Sequence, residues 1–296
     1  MQNPTSHGFR LSPQQRQIWI SQQAFPGQPF RAVGAFNVAG SIESDRLRQA
    51  FDVVVSRHEI LRTTFARPAG IKIPFQIVSE NTSFYWQRVD LKDFDQDQQE
   101  QRVAALFAAE CKQPVTLDDG PVLRCYLAEL SVTRAVLIVS LPAICADSTT
   151  LMNLVAEVCH AYESEQELPA EDEVVQYADF AEWENELLES TDARSLEGRA
   201  YWKRKHAAPD PVPALPLERR VIDGLASEYE FVTIEMDEIL AWTSKSAVAD
   251  LLFVCWQTLI ARLSGRRDFA IYRRFDARNL EDFHAALGPF DRYLPV

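Results

Sequence analysis

The chain has 296 residues, of which 47% are hydrophobic and 25% charged, with a net charge of −13. That length can bury the core of one large or two modest domains without disulfide support. The acidic balance argues against nucleic-acid partners, whose phosphates are met by clustered Lys and Arg. Cys111, Cys125, Cys145, Cys159 and Cys255 show no CxxC or metal-type spacing, and they read as reduced core residues, three of them on apolar helical stripes. The N-terminus lacks the basic-then-apolar order of a secretory signal, and the longest apolar run, 135–146, is short and broken by Pro142. No membrane span is expected, and a cytoplasmic setting is the expectation.

In chain order, Ser12 is a natural helix cap, Pro13 suits the first helical position, and Gln15 stands where a capping box needs Glu or Gln. Residues 30–39 are aromatic and β-branched enough for a strand. Leu47, Phe51, Val54, Val55 and His58 follow at helical spacing. Residues 71–78, 84–89 and 122–130 read as strands and 103–111 as an amphipathic helix. After the acidic run EQELPAEDE (165–173), a solvated connector, an aromatic helix is expected from Tyr177 toward Tyr201 and Trp202. Pro209, Pro211, Pro213 and Pro216 favour an extended linker. A strand over 228–236, a helix over 247–263 closed by Gly265, and a strand over 269–275 complete the mixed α/β pattern.

One segment stands out for chemistry. Residues 142–148, PAICADS, lie between a β-branched apolar run and a helix face formed by Leu151, Leu154, Val155, Val158, Cys159 and Tyr162. Pro142 is expected to end the strand, and Asp147 or Ser148 to cap the helix. A strand-to-helix turn on rigid supports is a common place for a site. This one contains no histidine, lysine or other ready base.

The longer motifs resemble the condensation domain of nonribosomal peptide synthetases. LSPQQRQIWI is similar to that family's opening helix motif, and RHEILRTTF is close to its RHExLRTxF motif. PVTLDDGPVLRCYL, YADFAEWENELL with its downstream YWKRKH, ARLSGRRDFAIY and ALGPFDRYLPV resemble the later segments, in the family's order and across nearly the whole chain. The resemblance implies an α/β (mixed α+β) class: a chloramphenicol acetyltransferase-like two-lobed sandwich with a complete N-terminal lobe and a truncated C-terminal lobe. The expected division is 1–165 for the N-terminal lobe, 166–216 for the connector, aromatic helix and Pro-rich linker, and 217–296 for a partial C-terminal lobe. It also implies a peptidyl or acyl carrier protein as partner, with an adenylation domain as a possible neighbour. The domain would have no cofactor of its own; the carrier's phosphopantetheine arm would enter the tunnel between lobes.

The family's signature is HHxxxDG at the strand-to-helix turn. Laid on it, Pro142 and Ala143 take the two histidine positions, Asp147 keeps the Asp, and Ser148 takes the Gly. Ala143 has no titratable side chain, so the usual histidine mechanism is excluded. The resemblance implies that Asp147 pairs with Arg62, giving structural support to the site; Asp147 can also cap the helix. His58 reads as a packed structural histidine, and His160 faces the polar side of its helix. His206 and Asp210 share an HxxxD spacing by chance, and His7 and His284 lie outside the motifs. Cys145 sits in the turn but lacks an activating neighbour in sequence, so it reads as a buried apolar residue.

Two functions follow from the resemblance: a carrier-binding, gating or scaffold module for secondary metabolite biosynthesis, and a histidine-independent acyltransferase that forms an amide by alignment. The family would place further residues after LPV to finish the C-terminal lobe, so a fragment or a truncated domain is expected.

Overall fold

The computed structural model describes residues 8–68, 70–118, 120, 122–164, 174–205, 215–216 and 245–296. The expected acidic connector, the strand over 228–236, His7, His206 and Asp210, and most of the Pro-rich linker lie outside the described residues. By internal contacts the chain forms two units: Met1–Thr191 with Asp276–Arg292, and Asp192–Phe275 with Tyr293–Val296. The helix after the acidic run thus belongs to the first unit.

In the first unit, strands β1 (Gly8–Arg10), β4 (Phe75–Val78) and β3 (Thr63–Ala66) make an antiparallel sheet in the order β1-β4-β3. A second sheet runs β2-β7-β6-β5, from β2 (Arg31–Ala39), β7 (Arg134–Pro142), β6 (Arg124–Glu129) and β5 (Tyr85–Asp90). All its pairs are antiparallel except β5 with β6. Strand β7 is buried along nearly its whole length because the sheet is covered on both faces. Its Leu137, Val139 and Leu141 join the main core, whereas Val136 and Ile138 join a smaller cluster on the opposite face. This is the period-two alternation of a central strand, and it explains a run with no polar interruption until Ser140.

Helices α2 (Ser44–Arg57) and α4 (Ser148–Glu163) pack together and bury Phe51, Val54, Leu154 and Val158 in the main core. Helix α3 (Gln96–Cys111) covers the other face with Val103, Leu106 and Phe107. It begins a full two turns before the apolar periodicity does, because Asp95 caps it by accepting the Gln98 N–H at 2.9 Å. The expected strand over 71–78 contracts to β4. Strands β1 and β3 have no counterpart among the sequence expectations, because both are too short for a periodic signal.

Helix α1 (Pro13–Ala24) opens as its sequence requires: Ser12 Oγ accepts the Gln15 N–H at 3.1 Å, and Gln15 Oε1 accepts the Ser12 N–H at 3.0 Å. The expected single aromatic helix is two. Helix α5 (Tyr177–Glu189) ends at Ser190, and α6 (Ala193–Lys205) starts where Asp192 accepts the Ser195 N–H at 2.9 Å.

The second unit contains α6, α7 (Lys245–Ser264) and most of the hairpin formed by β8 (Tyr272–Asp276) and β9 (Asp291–Pro295). Gly265, at φ +68°, follows α7 as the expected helix stop. Arg273 reaches Asp250 of α7 at 2.6 Å. Leu251, Leu252, Val254, Cys255, Trp256 and Leu259 of α7 are exposed. Cys255 and Cys159 are therefore not core residues, contrary to the sequence expectation, because each falls off the stripe its helix buries. No helix among the described residues is long and apolar enough to cross a membrane.

Ser12 does double duty, since its Oγ also lies 2.8 Å from the hydroxyl of fully buried Tyr177. Ser12→Ala is expected to destabilise the chain by about 1–3 kcal/mol through the lost cap and the lost buried hydrogen bond. A urea midpoint unchanged from that of the parent chain would contradict this.

Candidate active-site turn

Strand β7 delivers Pro142 to the sheet's end, directly opposite Arg31 of β2. The chain then turns through Ala143, Ile144 and Cys145 before α4 begins at Ser148. The turn is fixed by backbone bonds: the Ala143 N–H donates to the Phe30 carbonyl and the Cys145 N–H to the Pro142 carbonyl, both at 2.8 Å. Gln15, buried under the turn, donates to the Ile144 carbonyl at 3.2 Å and to Gln76 Oε1 at 2.9 Å. The opening helix motif thus supports the site through one glutamine.

Pro142 is buried, Ala143 is half-buried and Ser148 is exposed. The two turn N–H groups are already paired, so neither is available to stabilise an oxyanion. Asp147 is 8% exposed and caps α4: its Oδ1 accepts the Thr150 N–H at 2.7 Å and the Thr150 hydroxyl at 2.8 Å. Its remaining capacity is met from the segment after β8. Arg278 grips the carboxylate with two parallel bonds, Nη1 to Oδ2 at 3.0 Å and Nη2 to Oδ1 at 2.9 Å. The N–H groups of Phe290 and Asp291 donate to Oδ2 at 2.8 and 3.1 Å. Every acceptor direction of Asp147 is therefore engaged, and these bonds tie the turn to the segment after β8.

The partner is not the residue expected from the resemblance. Arg62 donates through Nη1 to the Ser79 carbonyl at 2.5 Å and makes no bond to Asp147. The reason is placement: Arg62 closes the short 3-10 turn Glu59–Arg62 ahead of β3, and its main chain and side chain are both tied to Ser79 just beyond β4. Arg278 lies in a short stretch between two recognisable motifs, and a pairing across 131 positions leaves no local sequence signal.

Arg278 is itself fully occupied. It donates through Nε to the Ala286 carbonyl at 3.0 Å and through Nη2 to the Gly288 carbonyl at 2.9 Å, and its guanidinium lies 4.4 Å over the Phe290 ring. Gly288 has φ +145°, and a Cβ there would meet Tyr177 Cδ2 at 2.0 Å. Tyr177 donates to the Pro289 carbonyl at 3.1 Å and stands edge-on to Phe290, while Phe180 packs on Phe283 and Phe290. The YADFAEW and GPF motifs therefore meet behind the turn, each holding the segment that carries Arg278.

On the α3 side of the sheet, Arg31 donates to Ser140 Oγ at 2.8 Å and pairs with buried Glu110 at 3.1 Å. Arg124 and the Tyr126 hydroxyl also bond Glu110, at 2.9 and 2.8 Å. Burial pulls Arg31 below the ordinary guanidinium value, with Glu110 opposing, and pushes the Tyr126 phenol up to about 12. These groups are committed to one another beneath Pro142.

The remaining candidates are elsewhere or buried. His58 is 3% exposed and bonds Glu157 of α4 at 2.6 Å, as a packed structural histidine should. His160 and His284 are exposed. Cys145 is fully buried, and desolvation drives its thiol far above the ordinary range. Native-state alkylation read by mass spectrometry is expected to modify Cys159 and to spare Cys145 until the chain unfolds. Labelling of Cys145 at the Cys159 rate would contradict this burial.

A family model described as the condensation domain matches residues 6–296. A component of the linear gramicidin synthase of Brevibacillus parabrevis is 28% identical over 300 residues, covering 97% of this chain and 4% of that protein. Bacitracin synthase 3 of Bacillus licheniformis is 27% identical over 294 residues, covering 95% and 4%. The chain thus spans a small fraction of the length of these synthases. Among solved structures, the starter condensation domain of rhizomide synthetase RzmA matches with a TM-score of 0.84 at 21% identity, covering 98% of this chain and 66% of that one. The condensation domain of the monacolin K polyketide synthase MokA gives 0.80 at 24%, covering 99% and 68%. The complex of the X-domain and OxyB from teicoplanin biosynthesis gives 0.76 at 21%, covering 100% and 66%. With its ordered motifs, its mixed α/β architecture and a family match along nearly its whole length, the chain belongs to the condensation-domain family.

Proposed function

We propose that this chain serves a peptide-synthesising assembly mainly as a carrier-protein-binding, gating or scaffold module. The observation that carries this reading is the turn itself: Pro142 and Ala143 supply no proton acceptor, while Asp147 is saturated by Arg278 and backbone N–H groups. A missing general base typically costs about 10²–10⁴-fold in rate. The turn is nevertheless held as firmly as a working site would require. Such retention of form suits a surface that docks a carrier and receives its phosphopantetheine arm as cargo. The X-domain neighbour, solved as a complex with OxyB, supports the reading as a case of this fold engaged with another protein.

The intact platform favours one second reading, a histidine-independent acyltransferase. An acceptor amine would attack a carrier-bound thioester, forming the C–N bond and breaking the C–S bond, with the amine proton ending on the departing thiolate sulfur. Alignment alone can supply effective molarities of about 10⁵–10⁸ M.

The two readings separate in one assay with the full chain, its Pro142→His/Ala143→His variant, and donor and acceptor carriers loaded with thioester and amine. The binding reading expects saturable anisotropy change of a labelled carrier with wild-type amide formation at the uncatalysed rate. Wild-type turnover well above that rate, or no carrier binding at all, would overturn it.

A further inference from the structure

Strand β2 is one edge of the four-stranded sheet, and among the described residues no strand lies on its outer side. The bonds just beyond its two ends fix which groups face outward. The Ala143 N–H donates to the Phe30 carbonyl and the Gly40 N–H to the Thr133 carbonyl, in the register that pairs Arg31 with Pro142 and Ala39 with Arg134. Antiparallel pairing alternates bonded and non-bonded pairs, so the even-numbered residues bond β7 and the odd-numbered ones turn their N–H and carbonyl groups away from it. Those of Val33, Ala35, Asn37 and Ala39 have no backbone partner among the described residues. Ala35, Asn37 and Ala39 are exposed, with small side chains that leave the backbone accessible.

Sheet edges are ordinarily blunted by charge, proline or a bulge. The other edge of this sheet, β5, carries Arg88 and Asp90. Strand β2 reads RAVGAFNVA, with no proline, lysine or acidic residue, and its one charge, on Arg31, is buried against Glu110. Its pairing with β7 runs along the whole strand without a bulge. The edge is therefore a regular, uncharged template.

Beside it, on the α3 side of the sheet, lies a pocket of about 450 Å³ lined by Ala35, Asn37, Val103, Ala104, Phe107 and Val136. A strand added to β2 would set alternate side chains into that pocket. The row of backbone groups selects the occupant. A helix has its own N–H and carbonyl groups bonded internally, whereas an extended backbone presents donors and acceptors at the repeat of the β2 edge.

We propose that the outer edge of β2 takes up an extended segment of a partner polypeptide as an added strand, with apolar side chains at alternate positions seated against α3. Such binding requires no chemistry at the 142–148 turn.

The test uses the full chain and a labelled peptide as long as β2, alternating valine and threonine between charged ends. Saturable binding by fluorescence anisotropy is expected, with slowed amide exchange at Ala35, Asn37 and Ala39 read by NMR. A twin peptide N-methylated throughout keeps the side chains but donates no backbone hydrogen bond, and it should not bind. Ala35→Pro removes one outward N–H that β7 does not use, so it should weaken binding about tenfold or more while leaving the thermal midpoint near that of the parent. Ala104→Glu, at an exposed position of α3, puts a charge in the pocket and should weaken binding as well. No saturable binding, equal binding of the methylated twin, or both variants binding like the parent would overturn the assignment. So would self-association in sedimentation that Ala35→Pro abolishes, since a second copy would then be the occupant.

Discussion

The bidentate pair between Asp147 and Arg278 is the constraint on which the site turn depends. Both side chains are almost wholly buried, at 5% and 3% exposure, and neither could be left alone there without a large desolvation cost. That cost is offset further by bonds to Thr150, Ala286, Gly288, Phe290 and Asp291. A buried ion pair so fully satisfied specifies one geometry: move the turn, and several polar groups lose partners together. The pair joins the start of α4 to the segment after β8, and Thr149 with Asp276 and Asn153 with the His284 carbonyl repeat that link on either side.

This clamp explains how the turn keeps its shape whatever side chains stand at 142 and 143. The geometry rests on Asp147, Thr150, Gln15 and the Phe30 and Pro142 carbonyls, and none of these bonds is made by the side chain of Pro142 or Ala143. The frame of the turn is therefore independent of the side chains of Pro142 and Ala143. Pro142 is tolerated because β7 ends there, and the chain's next N–H, from Ala143, is the one that bonds Phe30.

What is legible in the chain follows the same physics. Elements with a local signal are readable: the Ser12–Pro13–Gln15 helix start, the apolar alternation of β7 and the Asp147 cap each arise from contacts a few residues apart. The burial of Cys145 and His58 is readable too, since one reads as a small apolar residue in the turn and the other ends an apolar stripe. The partner of Asp147 is not, because an ion pair spanning 131 positions leaves no periodicity or spacing. The exposure of Cys159 and Cys255 is hidden for a related reason. An apolar stripe marks which face of a helix can be buried, and the tertiary packing decides how much of it is.

The central claim is that Arg278, and not Arg62, holds Asp147. Two double-mutant cycles by urea unfolding test it directly, one pairing Asp147→Asn with Arg278→Met and the other pairing Asp147→Asn with Arg62→Met. The account predicts a coupling of about 2–3 kcal/mol in the first and additivity within about 0.5 kcal/mol in the second. Additivity for Arg278 together with strong coupling for Arg62 would contradict it.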